Sequence, residues 1–267
     1  MIGRGDLSEE GRGKGWTAMR EGNPRISVIC PWTEEKIRKE LLEASLERQT
    51  FRDFELILLN NRELGMDRAS QVLNEGARRA LGEILLFVHQ DVELLGTDFL
   101  ARLWEDCRER DFGIGGVAGV ADGKETVWST VVQGPEREQA GIRLTEPKAA
   151  DSCDECLFFI RKKDFLGFSD LGATWHFYAV EYCLHCRTEG RPVLLFPLPV
   201  YHASPGWSID EGYWRTLDRV AELYKGKVKA VPTTLGVFEL NGLHRLKQVK
   251  RIWTARRAKR RGESLIR

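Results

Sequence analysis

No apolar run in this chain approaches the roughly 18 to 20 residues that a helix needs to cross a bilayer, so the sequence holds no candidate membrane span. Cysteine is scarce as well. Six in 267 residues are too few for a disulfide scaffold, which excludes the small secreted domains stapled by bridges. The start of the chain is rich in Gly and charge and lacks the basic-then-apolar order of a secretion signal, so the protein is expected to stay in the cytoplasm. There is no excess of one charge either: 41 Lys and Arg stand against 40 Asp and Glu, and while a net charge of +1 says little about nucleic acid, the acidic balance outside the C-terminal tail leads us to expect no nucleic-acid partner. A phosphate-binding loop is also missing. Gly115, Gly116 and Gly119 neither open a helix nor carry a Lys, and CPWTEEK after the first apolar run has no Gly-rich basic loop. That sets aside a nucleotidyltransferase.

What is there is one α/β body. Residues 1–24 read as a mobile arm with little to bury, and the fold is expected to begin at Arg25. Ile26 to Cys30 is a short β-branched apolar run. Thr33 follows as an N-cap with Glu34 and Glu35 in the first turn of a helix reaching about Gln49. In that helix Ile37, Leu41, Leu42 and Leu46 share a sheet-facing stripe, and Lys36, Arg38, Lys39 and Glu40 face water. ELILL at Glu55 to Leu59 is a second buried strand, and Asp67 to Leu81 a second helix whose small residues Ala69, Gly76, Ala77 and Ala80 permit close packing. Glu83 to Val88 is a third strand, with Thr97 capping the next helix. This alternation predicts a mostly parallel central sheet with helices on both faces. From 121 to 150 no period is sustained, so a long loop or small subregion is expected before a strand at Cys156 to Ile160, a helix near Val180 to Glu189 and a strand at Pro192 to Phe196.

GEILLFVHQDVE carries the most chemistry, because a buried strand ends in His89, Gln90 and Asp91. Ligands of open α/β sheets bind at the carboxyl ends of the strands. Taken with ISVICPW, SLERQTFRDFELILLNN, VLNEGARRALGEILLFVHQDV and WHFYAVEYCLHCRTEG leading to YHASPGW, the sequence from about Arg25 to Trp207 resembles the inverting, nucleotide-sugar-dependent glycosyltransferases of family 2, with the GT-A fold.

The resemblance implies a GT-A domain at 25–210, with a nucleotide-sugar half at 25–120 and an acceptor half at 121–210, followed by a basic helical extension at 211–267. It places Pro31, Trp32, Thr33, Glu34, Asn60, Asn61, Asn74 and Gln90 around the donor nucleotide. Relatives more often carry Asp where Asn60 or Asn61 stands. His89-Gln90-Asp91 occupies the place of the Asp-X-Asp motif, so Asp91, His89 and the late His202 are the implied ligands of a Mn²⁺ or Mg²⁺ ion at the diphosphate. Oxygen ligands suit either ion, and imidazole suits Mn²⁺ better. Ser204 and the Gly206 backbone are further phosphate donors. Inverting transfer needs a base for the acceptor hydroxyl. Glu181 matches an acidic position of the acceptor helix and ranks first, ahead of Asp154, Asp170 and His176. The implied reaction moves a sugar from a nucleotide-diphosphate donor to a glycan or lipid-linked acceptor. A glycosyltransferase-like domain that binds a nucleotide sugar, a glycan or a partner without catalysis is the alternative, because His89 replaces the first Asp.

Two features stand apart. Cys153-Asp-Glu-Cys156 and Cys183-Leu-His-Cys186 admit a four-cysteine metal site or a disulfide, but their strand and helix contexts favour packed thiols. From Arg245 to Arg267 ten Lys or Arg stand against Glu263 alone, a local charge of about +9 that leaves about −8 for the remainder. Leu243, Leu246, Val249, Ile252 and Trp253 recur at near-helical spacing among them. Such a segment suits an anionic membrane surface, which for this chain means the inner face.

Overall fold

The computed structural model describes residues 22–204 and 211–240. Ile26–Trp32 (β1), Phe54–Asn60 (β2) and Ile84–Val88 (β3) are parallel, with β1 between the other two. Their side chains alternate between faces, as the period of a strand requires. Ile26, Val28, Cys30, Leu86 and Val88 pack with Leu42, Leu46, Phe99 and Leu103 on one side. Ile29, Leu85 and Phe87 pack with Val72, Leu73 and Ala77 on the other. Helices therefore cover both faces, and burial on both sides explains why these strands read as continuous apolar runs.

Leu157–Arg161 lies antiparallel between β3 and Ile114–Gly116, and Val193–Leu195 and Lys148–Ala149 complete a seven-stranded sheet. Five of its strands share one direction, so the sheet is mostly parallel as expected. Two glycines permit close packing, one against this sheet and one in the neighbouring strand pair Ala118–Val120 and Ser152–Cys153. A Cβ on Gly76, in the helix Ala69–Arg79, would sit 2.4 Å from Ile29 Cγ2, and one on Gly119 would sit 1.9 Å from the Ser152 carbonyl oxygen.

Three local expectations change. The first helix runs as Glu35–Arg38, a π turn at Lys39–Glu43, and Ala44–Glu47, with Glu34 rather than Thr33 at its cap position. Its buried side chain in the first turn is Arg38, laid 4.4 Å from the Trp32 ring and paired with Glu43, whereas Ile37 is exposed. Cation–π contact and a carboxylate partner let the guanidinium take the inward position. Asp98, not Thr97, precedes the helix Phe99–Glu109, without a side-chain cap bond.

Residues 121–150 take the second of the two expected forms, a small subregion of short strands, and not that of a long loop. Val127–Ser129 and Ile142–Arg143 join Ala118–Val120 and Ser152–Cys153 in one four-stranded sheet. Val131–Gln133 and Glu138–Gln139 join Val92–Leu94 and Val200–His202 in another. Strands of two or three residues are too short to show a period. The helix Glu211–Leu223 and the hairpin Ala230–Thr233 with Gly236–Glu239 then cover the helix Tyr178–Thr188. Tyr213, Trp214, Leu217, Val231 and Phe238 pack there with Phe177, Val180 and Leu184.

Candidate metal centre and its two cavities

β3 ends at Val88, and the chain turns at once through His89, Gln90 and Asp91 into Val92–Leu94. The turn is pinned by His89 N–H donating to the Cys156 carbonyl at 3.0 Å and Val92 N–H to the His89 carbonyl at 3.3 Å. Antiparallel pairing sets His202 opposite Val92, one residue beyond Asp91. The consequence is a triad. His202 Nε2 lies 3.4 Å from Asp91 Oδ1, Ser204 N–H donates to Asp91 Oδ2 at 3.2 Å, and one ligand atom from each of His89, Asp91 and His202 falls within 4.8 Å of the others.

Burial disfavours ionised Asp91, but the hydrogen bond from His202 and the charges of His202 and His89 outweigh it and hold the carboxyl below its usual range. Burial likewise works against protonated His202, yet its bond to Asp91 and the charges of Asp91 and Asp154 raise it. For His89, burial and then the charge of His202 prevail, so its pKa falls and the neutral ligating form is favoured. Its Nε2 lies 2.7 Å from the Tyr178 hydroxyl. A hydroxyl accepting from Nε2–H would fix the tautomer that leaves Nδ1 for an ion. Two imidazoles and a carboxylate so gathered could hold a divalent ion, and imidazole nitrogen suits Mn²⁺ better than the more strictly oxygen-seeking Mg²⁺.

A cavity of about 350 Å³ reaches His89 and Asp91, walled by Pro31, Trp32, Thr33, Asn61, Trp175 and Tyr178 among others. The Asn61 Oδ1 is buried there without a hydrogen-bond partner. A second cavity of about 240 Å³ is walled by Asp154, His176, Phe177, Tyr213, Thr234 and Ser204 among others. His89, Asp91 and Glu155 line both.

The donor-side residues expected from sequence divide. Pro31, Trp32, Thr33, Asn61 and Gln90 line the first cavity, though Gln90 Oε1 is taken by the Thr33 and Glu34 N–H groups at 2.8 and 2.9 Å and so fastens the end of β1. The other three lie outside its lining. Glu34 pairs with Arg62 at 2.5 Å, and Asn60 Oδ1 caps the following turn by accepting from Arg62 N–H at 3.1 Å. Asn74 uses both amide atoms on the Phe168 backbone.

The candidate bases divide too. Asp154 and His176 line the second cavity, where Asp154 Oδ2 accepts from the Thr234 hydroxyl at 2.9 Å and Oδ1 from Cys156 N–H at 3.0 Å. Glu181 is absent from both linings. Its residue is 2% exposed, and its Oε1 accepts from the Tyr224 and Ser169 hydroxyls at 2.7 and 2.9 Å. Asp170 is at the surface, paired with Arg68. Gly206 and the basic tail lie outside the described residues.

All six cysteines are free and buried. Cys156 packs on one face of the sheet and Cys153, Cys183 and Cys186 on the other, so the four cannot meet on one ion. Cys153 N–H donates to Cys183 Sγ at 3.2 Å, and burial pushes the Cys186 thiol up to about 12. These are packed thiols.

Sequence reasoning missed Glu155, Tyr178 and Thr234. For Glu155 a signal existed: a second acid beside Asp154 at the mouth of the buried strand LFFI, where a charge needs a reason. Thr234 gave none, since only the packed hairpin brings it near.

No protein-family model matches the sequence, and no curated protein matches it. Solved structures do. GalNAc-T7 with UDP, GalNAc and Mn²⁺ superposes with a TM-score of 0.57 at 16% identity, covering 81% of this chain and 51% of that one. S. aureus TarS 1-349 in complex with UDP-GlcNAc gives 0.52 at 15% identity, covering 76% and 68%. This chain thus spans about half the length of the first and two thirds of the second. At such identities the likeness speaks for architecture: the chain has the GT-A fold, shared with glycosyltransferases.

Proposed function

We propose that this protein is a metal-dependent glycosyltransferase of the inverting, family 2 type, moving a sugar from a nucleotide-diphosphate donor to a hydroxyl of a glycan or lipid-linked acceptor. One observation carries the reading: His89 and Asp91 line two cavities and His202 lines the second, so a donor in one and an acceptor in the other would both reach this group. His89, Asp91 and His202 would hold Mn²⁺, which when bound supplies positive charge for the donor diphosphate. Trp32 and Pro31 offer apolar faces to the base, and the Asn61 amide offers an unmet hydrogen-bonding group.

On the acceptor side Asp154 takes the role of base, ahead of His176 and in place of Glu181, whose carboxylate is occupied in the core. The Thr234 hydroxyl and Cys156 N–H orient the Asp154 carboxylate. As the acceptor oxygen attacks the anomeric carbon, its proton passes to Asp154 and the bond to the nucleotide diphosphate breaks on the opposite face. The basic tail from about Leu243 anchors the enzyme at an anionic membrane facing the cytoplasm, where a lipid-linked acceptor is presented.

The test is incubation with a panel of nucleotide sugars and Mn²⁺, scored for nucleotide diphosphate release and for transfer. Mn²⁺-dependent release or transfer supports catalysis. Binding of a nucleotide sugar with neither would instead support a non-catalytic domain, the reading motivated by His89 in place of the first acid.

A further inference from the structure

A sugar in transit has to sit where the two cavities meet. Three residues line both, and two of these, His89 and Asp91, belong to the metal group. The third is Glu155. Its side chain is held at the start of the helix Tyr178–Thr188, where the backbone N–H groups of Phe177, Tyr178 and Ala179 face the carboxylate. That accounts for part of the group only: Oε1 is buried without a hydrogen-bond partner. A buried polar atom left unmet is costly, and such atoms are few in folded proteins. The Tyr178 hydroxyl, which touches His89, is 3.5 Å from the Glu155 backbone carbonyl, so the acid is tied into the same cluster.

Resting on the glycosyltransferase reading above, we infer that Glu155 recognises the transferred sugar itself, its carboxyl group bonding a hydroxyl of the donor hexose. The chemistry selects a hydroxyl over the other donor groups. Phosphate oxygens only accept, so they match Glu155 in its protonated state alone and repel it when ionised. The nucleotide base is left to Trp32 and Asn61, which line the first cavity alone. A sugar hydroxyl can donate to a carboxylate or accept from a carboxylic acid, so the match holds in either state. Burial, with the neighbouring charge of Asp154, raises the Glu155 pKa and favours the acid, which can donate. Glu155 is thereby a specificity residue. It separates a nucleotide sugar from the bare nucleotide and, by the placing of one oxygen, one hexose from its epimer.

Titration calorimetry of the full chain with saturating Mn²⁺ tests this, using UDP, GDP, UDP-GlcNAc, UDP-glucose, UDP-galactose and GDP-mannose. The parent should bind one of the sugar conjugates more tightly than its own nucleotide. Glu155→Leu should bind the nucleotide as the parent does and lose about tenfold in the sugar's added affinity, the scale of one buried hydrogen bond. Glu155→Gln, which keeps a donor and an acceptor and guards against a folding defect in the Leu variant, should retain most of the preference. A Leu variant with the parental ratio of conjugate to nucleotide affinity would overturn the inference. So would equal loss of nucleotide and conjugate binding in both variants, which would make Glu155 a support of the metal group. Failure of the parent to bind any nucleotide with Mn²⁺ would instead remove the underlying glycosyltransferase reading.

Discussion

Asp91→Asn isolates the anionic ligand of the metal group. The amide keeps an oxygen that can accept from Ser204 N–H, so the turn after β3 should persist while the charge is lost. An ion that binds only the folded chain stabilises it by about 2.7 kcal/mol at a hundredfold excess over its dissociation constant. A domain of this size gains about 2 to 4 °C per kcal/mol, so Mn²⁺ should raise the parental midpoint by about 5 to 10 °C. If the substitution weakens binding by about a hundredfold, the upper end of what losing even a supporting partner costs, the same Mn²⁺ concentration yields only about 0.4 kcal/mol. The increment then shrinks to about 1 °C. Asp91 also pairs with His202, so the two proteins must be compared by their increments and not by absolute midpoints. Mg²⁺ should give the parent a smaller increment than Mn²⁺, because two of the three ligands are imidazoles. Thermal unfolding with a metal titration measures all of this. A variant with the parental Mn²⁺ increment would refute the assignment of the ion to this group.

Asp154→Asn should leave Mn²⁺-dependent nucleotide binding intact and lower transfer by roughly a hundredfold or more, the scale of losing a general base; unchanged turnover would pass the role to His176. Glu155→Gln should unfold at a higher temperature than the parent at pH 7, with the gap closing as the pH falls toward about 4.5. The folded carboxyl is raised, so its stabilising protonation is complete below the ordinary Glu range and is lost as pH rises through the folded value. Gly76→Ala should destabilise by about 1 kcal/mol in chemical unfolding, because overpacking against Ile29 and Leu59 at about 1 to 3 kcal/mol exceeds the gain in helix propensity of about 1. Removing the chain beyond Asn241 should abolish co-sedimentation with anionic vesicles at low salt, since each basic group near such a surface contributes roughly 1 kcal/mol; equal pelleting of full and shortened chains would discard the tail's role.

The first half of the fold was legible because its signals are local. ISVIC, ELILL and GEILLFV are buried on both faces and so read as strands whatever surrounds them, and His89 and Asp91 inherit their place from the strand they end. The later half answers to long-range pairing. His202 meets Asp91 only through the register of Val200–His202 against Val92–Leu94, and the strands of 121–150 are too short for any window to register. Asn74 illustrates the opposite failure. It sits in a block that resembles the family, yet its amide spans to the Phe168 backbone, a partner 94 residues away that no spacing announces.

Glu181 shows why an acid on a helix is hard to place from sequence alone. Eight of the eleven residues of Tyr178–Thr188 are buried, so the helix has no polar face against which position 181 could be judged. An acid at its N-terminal turn is favoured by the dipole whether it serves a site or the core. What decides is whether the rest of the chain offers partners, since leaving a buried carboxyl oxygen unbonded is costly. Ser169 supplies one hydroxyl from the loop before the helix, and Tyr224 another from beyond Glu211–Leu223. Glu155, by contrast, reaches the start of the same helix with one oxygen unmet, at the meeting of two cavities. Of two acids at the start of this helix, the one whose Oε1 takes two core hydroxyls holds the fold, and the one with an oxygen unmet is left for a ligand.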